Sequence, residues 1–375
     1  MKCMKSYYHI LFLVFILAGF ISDLNAYSEY KKRHHDKRTV FYNLVDLGPA
    51  GRAPRLLSRH STTISFGPRI NNNGQVIFND KKGGVILDPA YGPDRLIMCH
   101  VSTTFHAIND EGSVLASLPQ NCGKHEWMIW SEKNGCRRFP MILSYDPPAG
   151  CEVYFNYFNN KGVLAGILLV PTGGVPISYA AVMQPCTKLD ILCEGAAWGV
   201  SDSGYVAANN FASEEHRPYI WHYKGGSIVL SDDNCMHTKP NKEDVQYVDM
   251  LIAYDDSIFG TFFYRDRPDY LYTYHWFPHE NKFEILDLKN IRLSAINGKG
   301  TIVGTLDNRA VMLQKDGVCR DLNHTIDKQS RHWTLLEATD INDQGQIVGF
   351  GSANGETRIF LLNPVEKPHL KTYRK

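Results

Sequence analysis

Short segments in which hydrophobic and polar positions alternate run through most of the chain, each bounded by turn residues, and they return at a long period. The alternation suits half-buried β-strands rather than amphipathic helices. Six turns mark the period: Ile70-Asn-Asn-Asn-Gly74, Ile108-Asn-Asp-Glu-Gly112, Phe158-Asn-Asn-Lys-Gly162, Val200-Ser-Asp-Ser-Gly204, Ile296-Asn-Gly-Lys-Gly300 and Ile341-Asn-Asp-Gln-Gly345. Their steps are 38, 50, 42, 96 and 45 residues, so the long step hides a further copy. It is Leu251-Ile-Ala-Tyr-Asp-Asp-Ser-Ile-Phe-Gly-Thr261, which aligns with Ala295 to Thr305.

Each unit reads as four strands. One precedes the turn, as in Leu336 to Ile341, and one follows it, as in Gln346 to Phe350. A third is apolar and aromatic, as in Trp127-Met-Ile-Trp130 and Tyr270 to Trp276, and a fourth follows a polar turn, as in Phe283 to Leu288. Four-stranded units of about 45 residues are the length of propeller blades. The Asn or Asp side chains bond back to nearby amides and Gly supplies a positive φ, so hairpin geometry explains the turns.

The last unit stops after three strands at Asn363-Pro364, whereas Val40 to Gly48 precedes the first turn like an orphaned fourth strand. Pairing the two removes exposed sheet edges. The expected fold is all-β: a seven-bladed β-propeller of four-stranded blades over residues 39–364, the last blade closed by the N-terminal strand.

The phrase Ile-Asn-Asp-x-Gly-x-Ile-Val-Gly, followed by an apolar strand and then Asp-Leu, resembles the HAF family of extracellular repeat proteins. Ile341 to Gly349 and Ile296 to Gly304 carry the resemblance best, and it spans residues 40 to 363. The His-Ala-Phe triplet that names the family is replaced by Arg309-Ala310-Val311 and Arg358-Ile359-Phe360. The resemblance implies secretion and repeats and carries no catalytic residues.

Residues 1–26 read as a signal peptide: Lys2 and Lys5, an apolar stretch from Ile10 to Ile21, and Ala26 at the cleavage point. The protein is therefore expected to be secreted or periplasmic, a monomer with no membrane span after cleavage. A basic flexible leader (residues 27–38) follows, and a polar C-terminal tail spans residues 365–375. Removing the signal deletes Lys2, Lys5 and Asp23 and leaves 38 charges of each sign, which argues against nucleic acid as a partner. Eight cysteines remain: Cys99, Cys122, Cys136, Cys151, Cys186, Cys193, Cys235 and Cys319. The even count in a secreted chain allows four disulfides, with no pairing fixed by spacing. No C-x-x-C pair points to zinc, and the turns carry too few acids for calcium loops, so neither a metal nor another cofactor is called.

The short Asn-x-x-Gly turns and the joins between third and fourth strands emerge on one face. Longer connections are expected on the other: Ser117–His125, Ser144–Cys151, Pro171–Ile177, Asn210–Arg217, Ser231–Val245, Tyr264–Pro268 and Asn323–Trp333. Insertions collected on one rim of a repeat protein suit binding. Tyr145, His216, Arg217, Arg265, Arg267, His332 and Trp333 are the ligand-contact candidates there, combining charge with planar rings. Catalytic signatures fail: Gly199-Val-Ser201-Asp-Ser203 ends in Ser where an elbow needs Gly, and His125-Glu126 lacks a second His. No catalytic residue is assigned. The expected function is a binding or scaffold module for a protein, glycan or cell-surface ligand. The alternative is an extracellular hydrolase or lyase with its site in the central channel.

Overall fold

A computed structural model describes residues 41–365 apart from 51–66, 82, 90–95, 98–102, 120–124, 140–141, 144–149, 185–186, 211–217, 224, 226, 230–244 and 315–316. The signal, leader and C-terminal tail, except Val365, lie outside these residues, and Phe41 onward forms its own unit.

The chain opens with β1 (Phe41–Pro49). The first sheet is β2 (Arg69–Ile70), β3 (Val76–Asn79), β4 (Gly84–Leu87) and β5 (Leu96–Ile97). The second is β6 (Thr104–Ile108), β7 (Val114–Pro119), β8 (His125–Ser131) and β9 (Gly135–Arg138). An eight-stranded sheet follows, from β10 (Ile142–Leu143), β11 (Glu152–Phe158), β12 (Leu164–Val170), β13 (Ile177–Met183), β14 (Lys188–Val200), β15 (Tyr205–Asn210), β16 (Pro218–His222) and β17 (Ser227–Val229). Next come β18 (Val245–Ile252), β19 (Ile258–Tyr264), β20 (Arg267–Phe277) and β21 (Lys282–Lys289). Then β22 (Ile291–Ile296), β23 (Ile302–Leu306), β24 (Arg309–Leu313) and β25 (Cys319–Asp321) form a sheet, and β26 (Trp333–Ile341), β27 (Ile347–Ala353) and β28 (Glu356–Val365) end the chain.

This is an all-β propeller of four-stranded antiparallel blades. The separate sheets number six, not the seven expected. The reason is β14: its first part pairs with β13, its last part with β15, so two sequence repeats share one unbroken strand. The two halves of that sheet still face each other, with Val163, Ala165, Ala180 and Val182 packed on Ala197, Val206, Ala208 and Tyr219.

The orphan strand falls where the sequence puts it. β1 runs antiparallel to β28, pairing Leu44 with Leu362 and Tyr42 with Pro364, to give the order β1-β28-β27-β26. Buried Tyr42 donates its hydroxyl to Met312 Sδ (3.4 Å), and its amide donates to the Thr325 carbonyl (2.9 Å). Arg358 Nε reaches both Asp46 carboxylate oxygens at 3.0 and 2.9 Å. The last sheet then packs on the first, Val348, Phe350, Ile359 and Leu361 against Ile70, Val76, Phe78 and Val85, which closes the ring.

The strands that precede the repeated turns touch in closed order: β2, β6, β11, β14, β18, β22, β26 and again β2. All but the two-residue β2 carry a bulge near their C-terminal end. The Gly of the Ile-Val-Gly phrase serves that bulge. A Cβ on Gly304 would lie 1.9 Å from the Arg292 carbonyl, and one on Gly349 2.0 Å from that of Glu337. The repeat Gly lets the innermost strand approach closely and re-aim its side chains.

The connections opposite the turns are less uniform than the sequence suggests. Tyr264–Pro268 is a tight turn joining β19 to β20, not an extended loop. The Asn323–Trp333 connection is folded into two 3-10 turns, Leu322–His324 and Gln329–His332, where Asn323 brackets the Leu335 peptide at 2.7 and 3.0 Å. Cys151, Cys193 and Cys319 carry thiols rather than disulfides, which rules out four disulfides among the eight cysteines.

Candidate functional site

The repeated turns do more than reverse the chain. In the turn at Asn71, the Gly74 amide donates to the Asn71 carbonyl (3.0 Å), while Asn71 Oδ1 accepts from the amides of Asn73 (3.1 Å) and Gln75 (2.9 Å). Its Nδ2 then donates to the Asn109 carbonyl of the next repeat at 2.9 Å. The relay continues from Asn109 to Asn159 (3.4 Å), from Asn159 to Ser201 (2.7 Å), from Asn297 to Asn342 (2.9 Å) and from Asn342 back to Asn71 (3.0 Å). Asn is required because one side chain must accept locally and donate across; Asp offers no donor. All five are buried.

A second ring lies one residue further on. The amides of Asn72, Asp110, Asn160, Gly298 and Asp343 donate to the side chains of Asp110, Asn160, Asp202, Asp343 and Asn72, at 2.6 to 2.9 Å. From Asn72 to Asp202, carboxylates and amides alternate around this ring, so each Asp is flanked by a donor. The worn repeat interrupts both rings: Ala253 replaces the first Asn and Tyr254, 81% exposed, the second position. There Asp256 adopts the left-handed φ of 61° that Gly takes elsewhere, and Ser203 donates to its carboxylate. Hairpin geometry alone therefore does not account for the Asn positions, because the relay between repeats was invisible in any single copy.

Inside the ring, the innermost strands bring a mixed charge cluster together: Arg69 on β2, Tyr157 on β11, Asp249 on β18, Arg292 on β22, and Glu337 and Asp340 on β26. Tyr157 senses Arg69 and Asp249, although β6 stands between β11 and β2, and β14 between β11 and β18. Those influences therefore run between strands that are not neighbours in the ring. Burial pushes the Asp249 carboxyl up to about 6 against the opposing pull of Arg292 and Thr261, and it raises Glu337 and Asp340 despite Arg69 and, for Glu337, Arg292. Burial likewise pushes the Tyr157 phenol to about 12. Arg69 Nη1 donates to the Thr339 carbonyl (3.2 Å), and Asp340 accepts from the amides of Ile70 (3.0 Å) and Ile341 (2.9 Å).

Two other polar groups have the look of chemistry. Ser257 donates to Asp255 Oδ1 (2.6 Å) and meets His275 Nε2 (2.9 Å), but the acid and the imidazole share one hydroxyl instead of flanking the imidazole. A nucleophilic triad needs the acid on the far side of the His. His275 is stacked on Phe259, and burial lowers it to about 4, so it is neutral and structural. His106 is similarly enclosed, lowered to about 3 by burial and by His125, and paired with Ser117 Oγ at 2.8 Å.

The residues named from sequence scatter. Arg265 and Arg267 are exposed at the β19–β20 turn, the latter beside Asp266 at 3.7 Å. His332 is exposed, and its Nδ1 meets the Gln329 carbonyl at 3.0 Å. Trp333 is only 6% exposed and packs inward beside Gly351, so it cannot present its ring to a ligand. Tyr145, His216 and Arg217 lie outside the described residues. Among the described residues no group of three or more His, Cys, Asp or Glu is placed to hold a metal, and no helix is long and apolar enough to cross a membrane.

No protein-family model and no curated sequence matches the chain. Among solved structures it is similar to a catalytically inactive virginiamycin B lyase from Staphylococcus aureus bound to quinupristin, at 10% identity and TM-score 0.49 over 86% of this chain and 100% of that one. It is also similar to a puromycin-hydrolyzing peptidase of Mycobacterium tuberculosis, at 12% identity and TM-score 0.48 over 85% of this chain and 55% of that one. A gluconolactonase from Xanthomonas campestris gives 8% identity and TM-score 0.42 over 86% and 90%. At these values no activity is carried over, and the architecture rests on the strand pairing itself.

Proposed function

We propose that this chain is a secreted or periplasmic repeat protein of the HAF type that works as a binding or scaffold module, engaging a protein, glycan or cell-surface ligand with the face opposite its Asn-x-x-Gly turns. In this reading the eight-stranded sheet acts as two blades hinged on β14, so that the repeats form a sevenfold ring. The facing halves of that sheet support it, as does the closed order of innermost strands.

The observation that carries the functional reading is the asymmetry between the faces. The turn face spends most of its Asn and Asp groups on bonds between repeats. On the opposite face, Arg265, Arg267 and Tyr270 stand exposed around one turn, a charged and aromatic combination that suits recognition. The enzymatic alternative calls for a carboxylate and a His within reach in the channel; the charged group described above consists of carboxylates, guanidiniums and a phenol.

The test is a glycan and protein array probed with residues 27–375 and with the Arg265→Ala/Arg267→Ala double variant. The reading expects a defined class of binders whose affinity falls about tenfold or more in the variant, the range of a lost contact of 1–2 kcal/mol. Unchanged affinity for every binder would remove this face from the account.

A further inference from the structure

The second ring of turn-tip bonds holds three aspartates, and two of them grip a neighbour in the same way. Asp110 donates its amide to Asn160 Oδ1 at 2.7 Å and accepts from Asn160 Nδ2 at 2.9 Å. Asp343 treats Asn72 alike, donating to its Oδ1 at 2.8 Å and accepting from its Nδ2 at 3.2 Å. In each case the N–H and the carboxylate of one residue take both ends of a primary carboxamide from the following repeat. Asp202 is the third, and its other contacts are the same: its carboxylate accepts from the Asn160 amide and Nδ2, as that of Asp110 accepts from Asn72. Its own amide, however, has no acceptor among the described residues, because the following repeat supplies Tyr254 where the others supply Asn.

The backbone of the worn repeat still follows the ring. The Ala253 amide donates to the Ser257 carbonyl (2.8 Å) and the Asp256 amide to the Ala253 carbonyl (3.0 Å), the same two bonds that run from Asn71 to Gln75 and from Gly74 to Asn71 in an intact copy. Residue 254 therefore stands where Asn72 and Asn160 stand in theirs. Tyr254 is 81% exposed, so its ring is turned to solvent instead of reaching back to Asp202, which is half-buried. One N–H donor and one carboxylate are left side by side, next to an aromatic face. A cation or an anion meets only half of that pair, whereas a primary carboxamide meets both. A peptide group does not, since its N–H and C=O point apart across the trans bond. Nucleobase edges also pair an acceptor with a donor, but the balanced charge of the chain disfavours nucleic acid.

We propose that the Asp202 amide and carboxylate, with the exposed ring of Tyr254, form a docking site on the turn face for the side-chain carboxamide of an asparagine in a turn of a partner protein. The molecule itself argues for this occupant, because Asn160 and Asn72 show that the same pair of groups takes an asparagine presented by a tight turn. Tyr254 adds a planar, largely apolar contact of the kind enriched at interfaces. The site lies on the face opposite Arg265 and Arg267 and does not depend on binding there.

The test is an amide NMR titration of residues 27–375 with a cyclised peptide carrying the turn Phe158-Asn-Asn-Lys-Gly162, with the same peptide bearing Asn160→Asp, and with cytidine as a nucleobase probe. The expected result is a saturable shift of the Asp202 and Tyr254 amide signals with the first peptide, weakened tenfold or more by Asn160→Asp in the peptide. In the protein, Tyr254→Asn supplies the carboxamide from within. It should abolish peptide binding and raise the melting temperature by about 1–3 °C. Tyr254→Asp, which restores the acceptor without the donor, should bring no such gain. The proposal is overturned if the first peptide does not bind saturably, if the Asp peptide binds as well, if only cytidine binds, or if Tyr254→Asn binds like the parent or gains no stability. Should either variant fail to fold, the comparison of the two peptides on the parent protein still decides.

Discussion

At the scale of single residues, the asparagines opening each turn carry two jobs on one amide, and substitutions separate them. Asn342→Asp keeps the Oδ1 acceptor for the Gln346 amide but deletes the donor to the Asn71 carbonyl. It is expected to cost about 1–3 kcal/mol in urea unfolding, more than the same change at exposed Asn354. Gly349→Ala places a methyl 2.0 Å from the Glu337 carbonyl and should lose roughly 2 kcal/mol or more, because the bulge must move. Asp249 gives a pH signature. Its folded value is raised to about 6 from the ordinary 3.8, so its stabilising share is full below pH 4 and is lost as pH rises through 6. Relative to Asp249→Asn, the parent should therefore lose stability between pH 4 and 7, by roughly 1–3 kcal/mol, in paired thermal melts. A flat difference across that range would contradict the buried placement of this carboxyl.

At the scale of elements, much was legible and the gaps have identifiable causes. Alternation and turn residues located the strands, and the incomplete last repeat announced that β1 would pair with β28. The fusion of two repeats through β14 was not legible, because Lys188 to Val200 reads as two strands when a turn is expected between them. Trp333 looked like a rim aromatic because it ends a polar stretch, but it is the first inward position of β26. The charged group was missed because its members are spread over five strands, β2, β11, β18, β22 and β26, that lie far apart in sequence. β1 itself is open to test. Deleting residues 27–50 removes buried Tyr42 and uncovers the β28 edge, and should lower the melting temperature sharply. Tyr42→Ala alone should cost about 3 kcal/mol. A truncated protein that melts with the parent would show that β1 adds no closure.

At the scale of the molecule, the ring is held at two levels. Apolar clusters join neighbouring sheets on their flat faces, and the asparagine relay joins the turns near the axis. The most repetitive polar residues are thus spent on assembly, and the proposed binding reading places recognition at positions that do not repeat. This division is the central claim, and native-state hydrogen exchange tests it most directly. The amides of Asn72, Asp110, Asn160 and Asp343 sit at turn tips, where an ordinary hairpin would exchange them quickly. Bonded to the neighbouring repeat at 2.7 to 2.9 Å, they should be as protected as the core amides of β27 and open only with global unfolding. Exchange of these four amides at the rate of exposed turns would contradict it.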